Sequence, residues 1–492
     1  MSQMNLNFLD SILKYVPGIS KPATPLSFRE KLKWTAIIMG IYFLMFSTPA
    51  FGVSTATINQ PLIQLISVIF ASRIGSLITV GIGPIVLASI VLQLVIGAGL
   101  FNIDLNDPEQ KGRFQAIQKL AAMSIAVVEA YIFVATGYVP VVGASYVGVV
   151  VLQLAISAIF IVFLDEAMTK WGITSGINLF IAGGVAYSII AGTSSILLGE
   201  AIQAITSGGA TAIPNAILAF GPLFFAIVVF LVSIYAYDMK VEIPLVFTQI
   251  RGVGGRLPIP FLYVSVLPVI LATSFELSMT VWFRFLAGVT GTFANLVKFI
   301  ALYQVTPTAT GASQLNLVGG LVYLISPNFP LPYSTAYGGI GGYSAYFSYL
   351  ATGTSQLYLP WGGIVAVPEF LHIIIYTLVL IVLAVVFGRF WIEMTGQSPK
   401  HVAEQLQDVG WQVPGFRRDP RIVESILNKY IPTITILGSV FVALLASLAT
   451  LTGAVGTGMG ILLTVGIMYM VYQQLEQEHA LEQYPELNKL LS

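Results

Sequence analysis

No charged side chain occurs between Thr35 and Ser72, and the same holds for 74–103, 171–199, 201–237, 257–275, 370–388 and 430–475. The stretch 120–164 holds a single one, Glu129. An uncharged apolar run of about 18 residues or more is long enough to cross the hydrocarbon core of a bilayer. Only 9% of the 492 residues are charged and 56% are hydrophobic. A soluble domain carries about 25% charged residues. So few charges cannot give a chain of this length a water-compatible surface, which excludes an ordinary soluble enzyme and a disordered protein. Lys+Arg and Asp+Glu both number 22, so no bulk charge draws the chain to a polyanion.

The gaps predict ten transmembrane helices, near 34–52, 82–101, 119–138, 145–164, 174–195, 214–236, 260–286, 367–390, 431–451 and 458–475. Residues 1–33 and 476–492 form polar ends, and 34–195 and 214–475 form two transmembrane halves joined by an external loop, 196–213. With the N-terminus inside, nineteen of the 22 cations fall on the inner side, and only Arg73, Arg284 and Lys298 fall outside. Positive charge marks the cytoplasmic face, so both termini are expected in the cytoplasm of a multi-pass cell-membrane protein. The N-terminus is polar up to Trp34, so no cleavable signal of the usual form is expected. Cysteine is absent, which excludes disulfides and thiolate chemistry.

Two outer segments are more than turns. Between the first and second spans, Pro61 to Phe70 is apolar but too short to cross, which suits a re-entrant segment. The external loop 288–366 has no charged side chain after Lys298 and is rich in Gly, Ser, Thr and Tyr. Either a β-rich cap or a plain loop insertion fits that composition. A weak repeat is also visible: Gly83-Pro84 opens the second span as Leu267-Pro268 opens the seventh, and Gly176-Ile177 in the fifth matches Gly460-Ile461 in the tenth. Five helices per half is an odd number, so the halves have opposite topology. An inverted repeat places its working site at the interface of the halves.

Catalytic chemistry is not in evidence. The histidines His372, His401 and His479 match no ligand spacing, and neither a phosphate-binding loop nor a nucleophile elbow occurs. No enzyme activity and no cofactor are expected. Ionisable residues within spans are functional candidates by default. Glu129 lies in mid-helix, as a structural acid or a gating group. Glu276 and Arg284 share roughly one face of the seventh span, and Glu369 with His372 opens the eighth. Glu369 and Arg284 are expected at the interface, snorkelling. The aliphatic pairs Ile82/Val86 and Ile177/Ile181 are each spaced i, i+4 and so share a helix face. Beside glycines at the repeat interface they fit a narrow dry constriction as well as ordinary packing.

The run Ala71–Val86 (ASRIGSLITVGIGPIV), the run Phe163–Ala182 (FLDEAMTKWGITSGINLFIA), Val241–Leu245 with Pro258–Ser265, and the later blocks Gly415–Arg417, Tyr430–Pro432 and Gly460–Val465 together resemble the SecY-type protein-translocation channel in its archaeal form. The resemblance covers nearly the whole chain except 288–367 and 199–215. It implies an all-α membrane fold of ten helices in two inverted halves, a re-entrant plug helix, and the central pore subunit of the translocase. Secretory chains would pass along its axis, and membrane helices would leave sideways into lipid. An inverted-repeat transporter of small solutes is the alternative. The resemblance carries a pore ring onto Ile82, Val86, Ile177, Ile181, Ile270 and Leu463. The plug falls on Leu62, Ile63, Leu65, Ile66, Ile69 and Phe70, near 62–72, with Arg73 in its link to the second span. A lateral gate involves Leu87, Gln93, Glu129 and Ser278, where Leu87 stands in place of a usual hydroxyl and Ser278 in place of a usual amide. Arg251, Arg256, Arg417 and Arg418, in the cytoplasmic loops 237–259 and 391–430, would contact the ribosome. Implied partners are the nascent polypeptide with its signal sequence and two small single-helix subunits, of the SecE/gamma and beta types.

Overall fold

The computed structural model describes residues 17–24, 26–54, 66–97, 108–206, 212–247, 254–264, 266–288, 293–307, 313–332, 342–408, 411–412 and 420–483. Each predicted span holds a helix: α1 Phe28–Ser47, α2 Gly83–Gly97, α3 Pro108–Ala135, α4 Val147–Trp171, α5 Gly176–Ser195, α6 Gly221–Asp238, α7 Leu267–Phe285, α8 Glu369–Met394, α9 Pro420–Leu451 and α10 Gly458–Gln483. Among the described residues, seven helices are long and apolar enough to cross a membrane, and shorter apolar helices occupy Gly83–Ile96 and Gly458–Gln473.

Local signals set the ends. Ser27 and Glu30 form a reciprocal capping box at the start of α1: the Glu30 N–H donates to Ser27 Oγ, and the Ser27 N–H donates to Glu30 Oε2 at 3.0 Å. Helix α7 begins at Leu267 rather than near 260, because Pro258 and Pro260 belong to a strand and Pro268 occupies the first turn. The helices are apolar on both faces. In α4, Val150, Leu154 and Ile161 are buried while Leu152, Ile156 and Phe160 are exposed. Water would penalise that outer face, and lipid does not.

Packing repeats between the halves. Helix α1 packs on α4 and α5, α2 on α3, α3 on α4, and α4 on α5. Each pair recurs five helices later: α6 on α9 and α10, α7 on α8, α8 on α9, and α9 on α10. The halves meet where α5 touches α10 and where α7 touches α2 and α3. At the first seam the approach is close. A Cβ on Gly460 would stand 2.5 Å from Val185 Cγ2, and one on Gly456 would stand 2.6 Å from Ile189 Cγ1.

Two small sheets lie outside the helical body. Strands β1 (Lys240–Phe247), β2 (Gly254–Pro260) and β7 (Trp411–Gln412) form one, in order β2-β1-β7. Its strands fall in segments read from sequence only as loops, because Pro244, Pro258 and Pro260 disguise them. Strands β3 (Leu302–Pro307), β4 (Ser313–Gly319), β5 (Thr354–Tyr358) and β6 (Ile364–Pro368) form the other, in chain order. The loop 288–366 is therefore a β-rich cap, and β6 runs directly into α8.

Candidate functional site: a sealed axis and a polar seam

Five of the six ring candidates are almost fully buried: Ile82, Val86, Ile181, Ile270 and Leu463. All five belong to one hydrophobic cluster, and the half-buried Ile177 packs against it. They come from α2, α5, α7 and α10, so both halves contribute. Asp165 of α4 fixes the start of α5, accepting a hydrogen bond from the Ile177 N–H at 2.8 Å. Ile181 and Ile270 line a cavity with Val68, Ile69, Met459 and Gly460. It encloses about 10 Å³, room for at most one water.

Val68 and Ile69 come from a single helical turn over 66–69, the described part of the re-entrant segment. Leu62, Ile63 and Leu65 lie outside the described residues. Ile66, Ile69 and Phe70 are buried. The turn is anchored from three sides. Phe70 O accepts from the Ile82 N–H at 2.8 Å, Ala71 O accepts from Tyr42 Oη at 2.8 Å, and the Phe70 ring lies against Gly83. Arg73 is exposed, about 6.0 Å from the Phe46 and Tyr187 rings.

The gate candidates Leu87, Gln93, Glu129 and Ser278 are all buried, on α2, α3 and α7, which pack on one another. Among the described residues, Gln93 Oε1, Ser278 Oγ and, on α7, Ser274 Oγ are buried with no hydrogen-bond partner, and Trp282 of α7 stands beside Glu129. Ser274, Ser278 and Trp282 are spaced i, i+4, i+8 and so share one face. The spacing was legible in sequence, but serines and a tryptophan in an apolar helix carry no flag. An unpaired buried polar atom costs about 1–3 kcal/mol.

Glu369, expected to snorkel, is instead enclosed by protein, together with His372. Both are buried beneath the cap. His372 Nδ1 meets Glu369 Oε2 at 3.0 Å, and Nε2 meets Ser326 O at 3.0 Å. A carbonyl only accepts, so Nε2 carries a proton, and one further proton lies between Nδ1 and the carboxyl. Tyr323 Oη donates to Glu369 Oε1 at 3.0 Å, and Phe329 stacks on the imidazole at 4.4 Å. Burial, then the neighbouring Tyr349 and Glu369, pushes the Tyr323 phenol far above its ordinary range, which keeps it a donor. Arg284 is also buried rather than snorkelling. An E-x-x-H at a helix start was visible in sequence, but its cap partners are 40 or more residues away in the chain.

Of the basic candidates, Arg251, Arg417 and Arg418 lie outside the described residues. Arg256 is exposed on β2 and bonds Glu242 of β1 at 2.5 Å, which holds its guanidinium above the usual range. On the same side, Tyr263 donates to Gln397 O at 2.9 Å, and burial pushes its phenol up to about 12.

Comparisons with known proteins place the chain in a family and a fold. The SecY family model matches residues 76–472. The protein translocase subunit SecY of Methanocaldococcus jannaschii is 36% identical over 485 residues, covering 98% of each chain. That of Saccharolobus solfataricus is 34% identical, covering 99% of this chain and all of its own. A solved structure described as a protein conducting channel superposes with a TM-score of 0.76 at 35% identity, over 97% of this chain and 98% of that one. The canine Sec61 of a ribosome-channel complex gives 0.74 at 34%, with the same coverage. These relatives are named as protein translocase subunits and protein-conducting channels. The chain belongs to the SecY family and is a multi-pass membrane protein of the protein-conducting channel fold.

Proposed function

We propose that the six aliphatic side chains Ile82, Val86, Ile177, Ile181, Ile270 and Leu463 are the constriction through which a polypeptide passes, that the turn over 66–69 is its resting plug, and that α2 and α3 part from α7 and α8 to release membrane helices. The observation that carries this is the cavity of about 10 Å³ shared by plug and ring residues. Alkyl groups deform around a moving chain and offer it neither hydrogen bonds nor charge. The plug adds bulk on one side, and its anchors are a few hydrogen bonds, each contributing about 1 kcal/mol. A signal sequence supplies that much by burying a few apolar side chains.

The lack of native cysteine makes the test direct. A cysteine replaces Ile177 or, as a control facing outward, Val228. Each variant is assembled with a ribosome-bound secretory chain of stalled length that carries one cysteine. Oxidative crosslinking is expected at Ile177 and not at Val228. An engaged complex that crosslinks at neither position, at any chain length, removes the ring assignment.

The orientation that follows from the basic residues puts both termini and the β1–β2–β7 sheet in the cytoplasm, with the cap outside. Two small single-helix subunits complete the assembly. The relative of known structure in a ribosome complex makes the ribosome the natural cytoplasmic partner, with Arg251, Arg256, Arg417 and Arg418 toward its RNA. Arg256 is half-neutralised by Glu242. Glu242→Gln is therefore expected to tighten ribosome association and steepen its salt dependence, since one more cation is free to displace counterions. Co-sedimentation across a salt series reads this out, and an unchanged slope takes Arg256 out of the contact.

A further inference from the structure

We propose that Arg284 is the bolt of the lateral gate, a positioning residue that holds α7 to α3 in the closed state and is drawn into a cavity of its own half on opening. The proposal rests on the channel reading above and adds a residue to its gate. Arg284 lies in the last turn of α7 and is 5% exposed. Its hydrogen-bond and cation–π partners belong to the other half. Nε donates to Thr136 O at 2.9 Å, and the guanidinium lies 4.0 Å from the centre of the buried Tyr138 ring. Among the described residues no carboxylate stands within ion-pair distance of it. Thr136 directly follows α3, so its carbonyl stands at the C-terminal, negative end of that helix's dipole. A buried cation is thus neutralised by a helix end and an aromatic face across the seam. Leu277 and Val281 of α7 share an apolar cluster with Ala130, Phe133 and Tyr138 just below, so the bolt closes a dry contact.

Beside the guanidinium is a cavity of about 390 Å³. Among the described residues, Tyr138 is its one lining residue from the first half. The others come from the second half and include Asn316, Asn328, Tyr323, Tyr349 and Glu369. When the seam parts, Tyr138 and Thr136 leave with α3, and the polar wall stays with α7. The guanidinium then has amide, phenol and carboxyl oxygens to turn to without entering lipid. A two-seat cation of this kind makes opening reversible.

The test places a reporter cysteine at Ser278, a near-isosteric change in the buried seam, and a control cysteine at Ser233, which is fully buried in α6 away from it. Labelling by a small maleimide is followed in membranes that hold the assembled channel. Losing a charge-assisted hydrogen bond and a cation–π contact should raise the open population roughly tenfold to a hundredfold. In Arg284→Gln the Ser278→Cys site is expected to label at least about tenfold faster by that estimate, with Arg284→Lys between and Ser233→Cys unchanged. Equal seam labelling in Arg284→Gln overturns the proposal. So does a parallel rise at Ser233→Cys, which would mean that the whole fold has loosened. If Arg284→Gln fails to reach the membrane, Tyr138→Leu removes the aromatic seat alone, and unchanged labelling there is equally fatal. The Ile177→Cys crosslink, run in the same membranes with Arg284 intact, separates a failed bolt from a failed channel reading.

Discussion

Vesicles carrying Gly81→Ala channels are expected to leak small ions at rest, where those carrying the unaltered chain hold a gradient. Gly81 has φ +62°, a conformation in which a Cβ costs about 1–2 kcal/mol. The larger effect is steric. That Cβ would stand 2.0 Å from Phe70 O, where real contacts begin near 3.0 Å, so the plug backbone has to retreat by about 1 Å. The same carbonyl receives the Ile82 N–H, so the retreat breaks the bond that docks the plug onto the first turn of α2. Val68 and Ile69 then withdraw from a cavity that has room for at most one water. Gly112→Ala is the matched control, since a Cβ there meets nothing within 4 Å. Vesicles of Gly81→Ala that stay as tight as this control would show that the ring seals without the plug.

The transmembrane architecture was legible because charge is so costly in lipid that its absence writes the spans into the sequence. The repeat was legible too, in the prolines that open the second and seventh spans and the Gly-Ile pairs of the fifth and tenth, and the packing of α1–α5 recurs in α6–α10. The pairs Ile82/Val86 and Ile177/Ile181 could be read from spacing. Ile270 and Leu463 could not, since any aliphatic residue in such a helix looks the same until another helix is placed opposite. Met459 and Val68, which complete the cavity lining, were missed for that reason.

Two kinds of error have physical causes. Arg284, Glu369 and His372 sit at predicted helix ends, where exposure is the ordinary outcome. The cap buries Glu369 and His372 instead, and the residues after α3 meet Arg284; a cap of Tyr, Gly and Ser gives no local sign that it will fold back over α8. The polar side of the seam runs further than Gln93, Glu129 and Ser278, because Ser274 and Trp282 share the face of α7 that carries Ser278, which is apparent only when α7 is seen against α2 and α3. Long-range pairing of this sort is invisible to spacing rules, which see one helix at a time.

His372→Leu is expected to cost about 3–5 kcal/mol, because it removes one member of a buried, hydrogen-bonded pair and strands the other. The substitution deletes the Nδ1 contact to Glu369 and the Nε2 bond to Ser326 O together, along with the ring that stacks on Phe329. Glu369 keeps Tyr323 as a donor, while Ser326 O loses its imidazole partner. Glu369→Gln retains the volume and an acceptor for Tyr323, so about 1 kcal/mol is the expected scale, that of one altered hydrogen bond. The pair Glu369→Leu with His372→Leu should cost less than the sum of the single changes, since neither dyad member is then left buried without the other, although Tyr323 and Ser326 each lose a partner. Thermal unfolding of the purified assembly, together with chymotrypsin cleavage of the aromatic-rich cap, separates global from local loss. The cap should be cut faster in His372→Leu even below the unfolding midpoint, because the dyad ties Ser326 and Tyr323 of the cap to the first turn of α8. A His372→Leu cap as resistant as the unaltered one would mean that the sheet and its β6–α8 continuity hold the cap in place. The dyad would then be a consequence of that docking and not its cause.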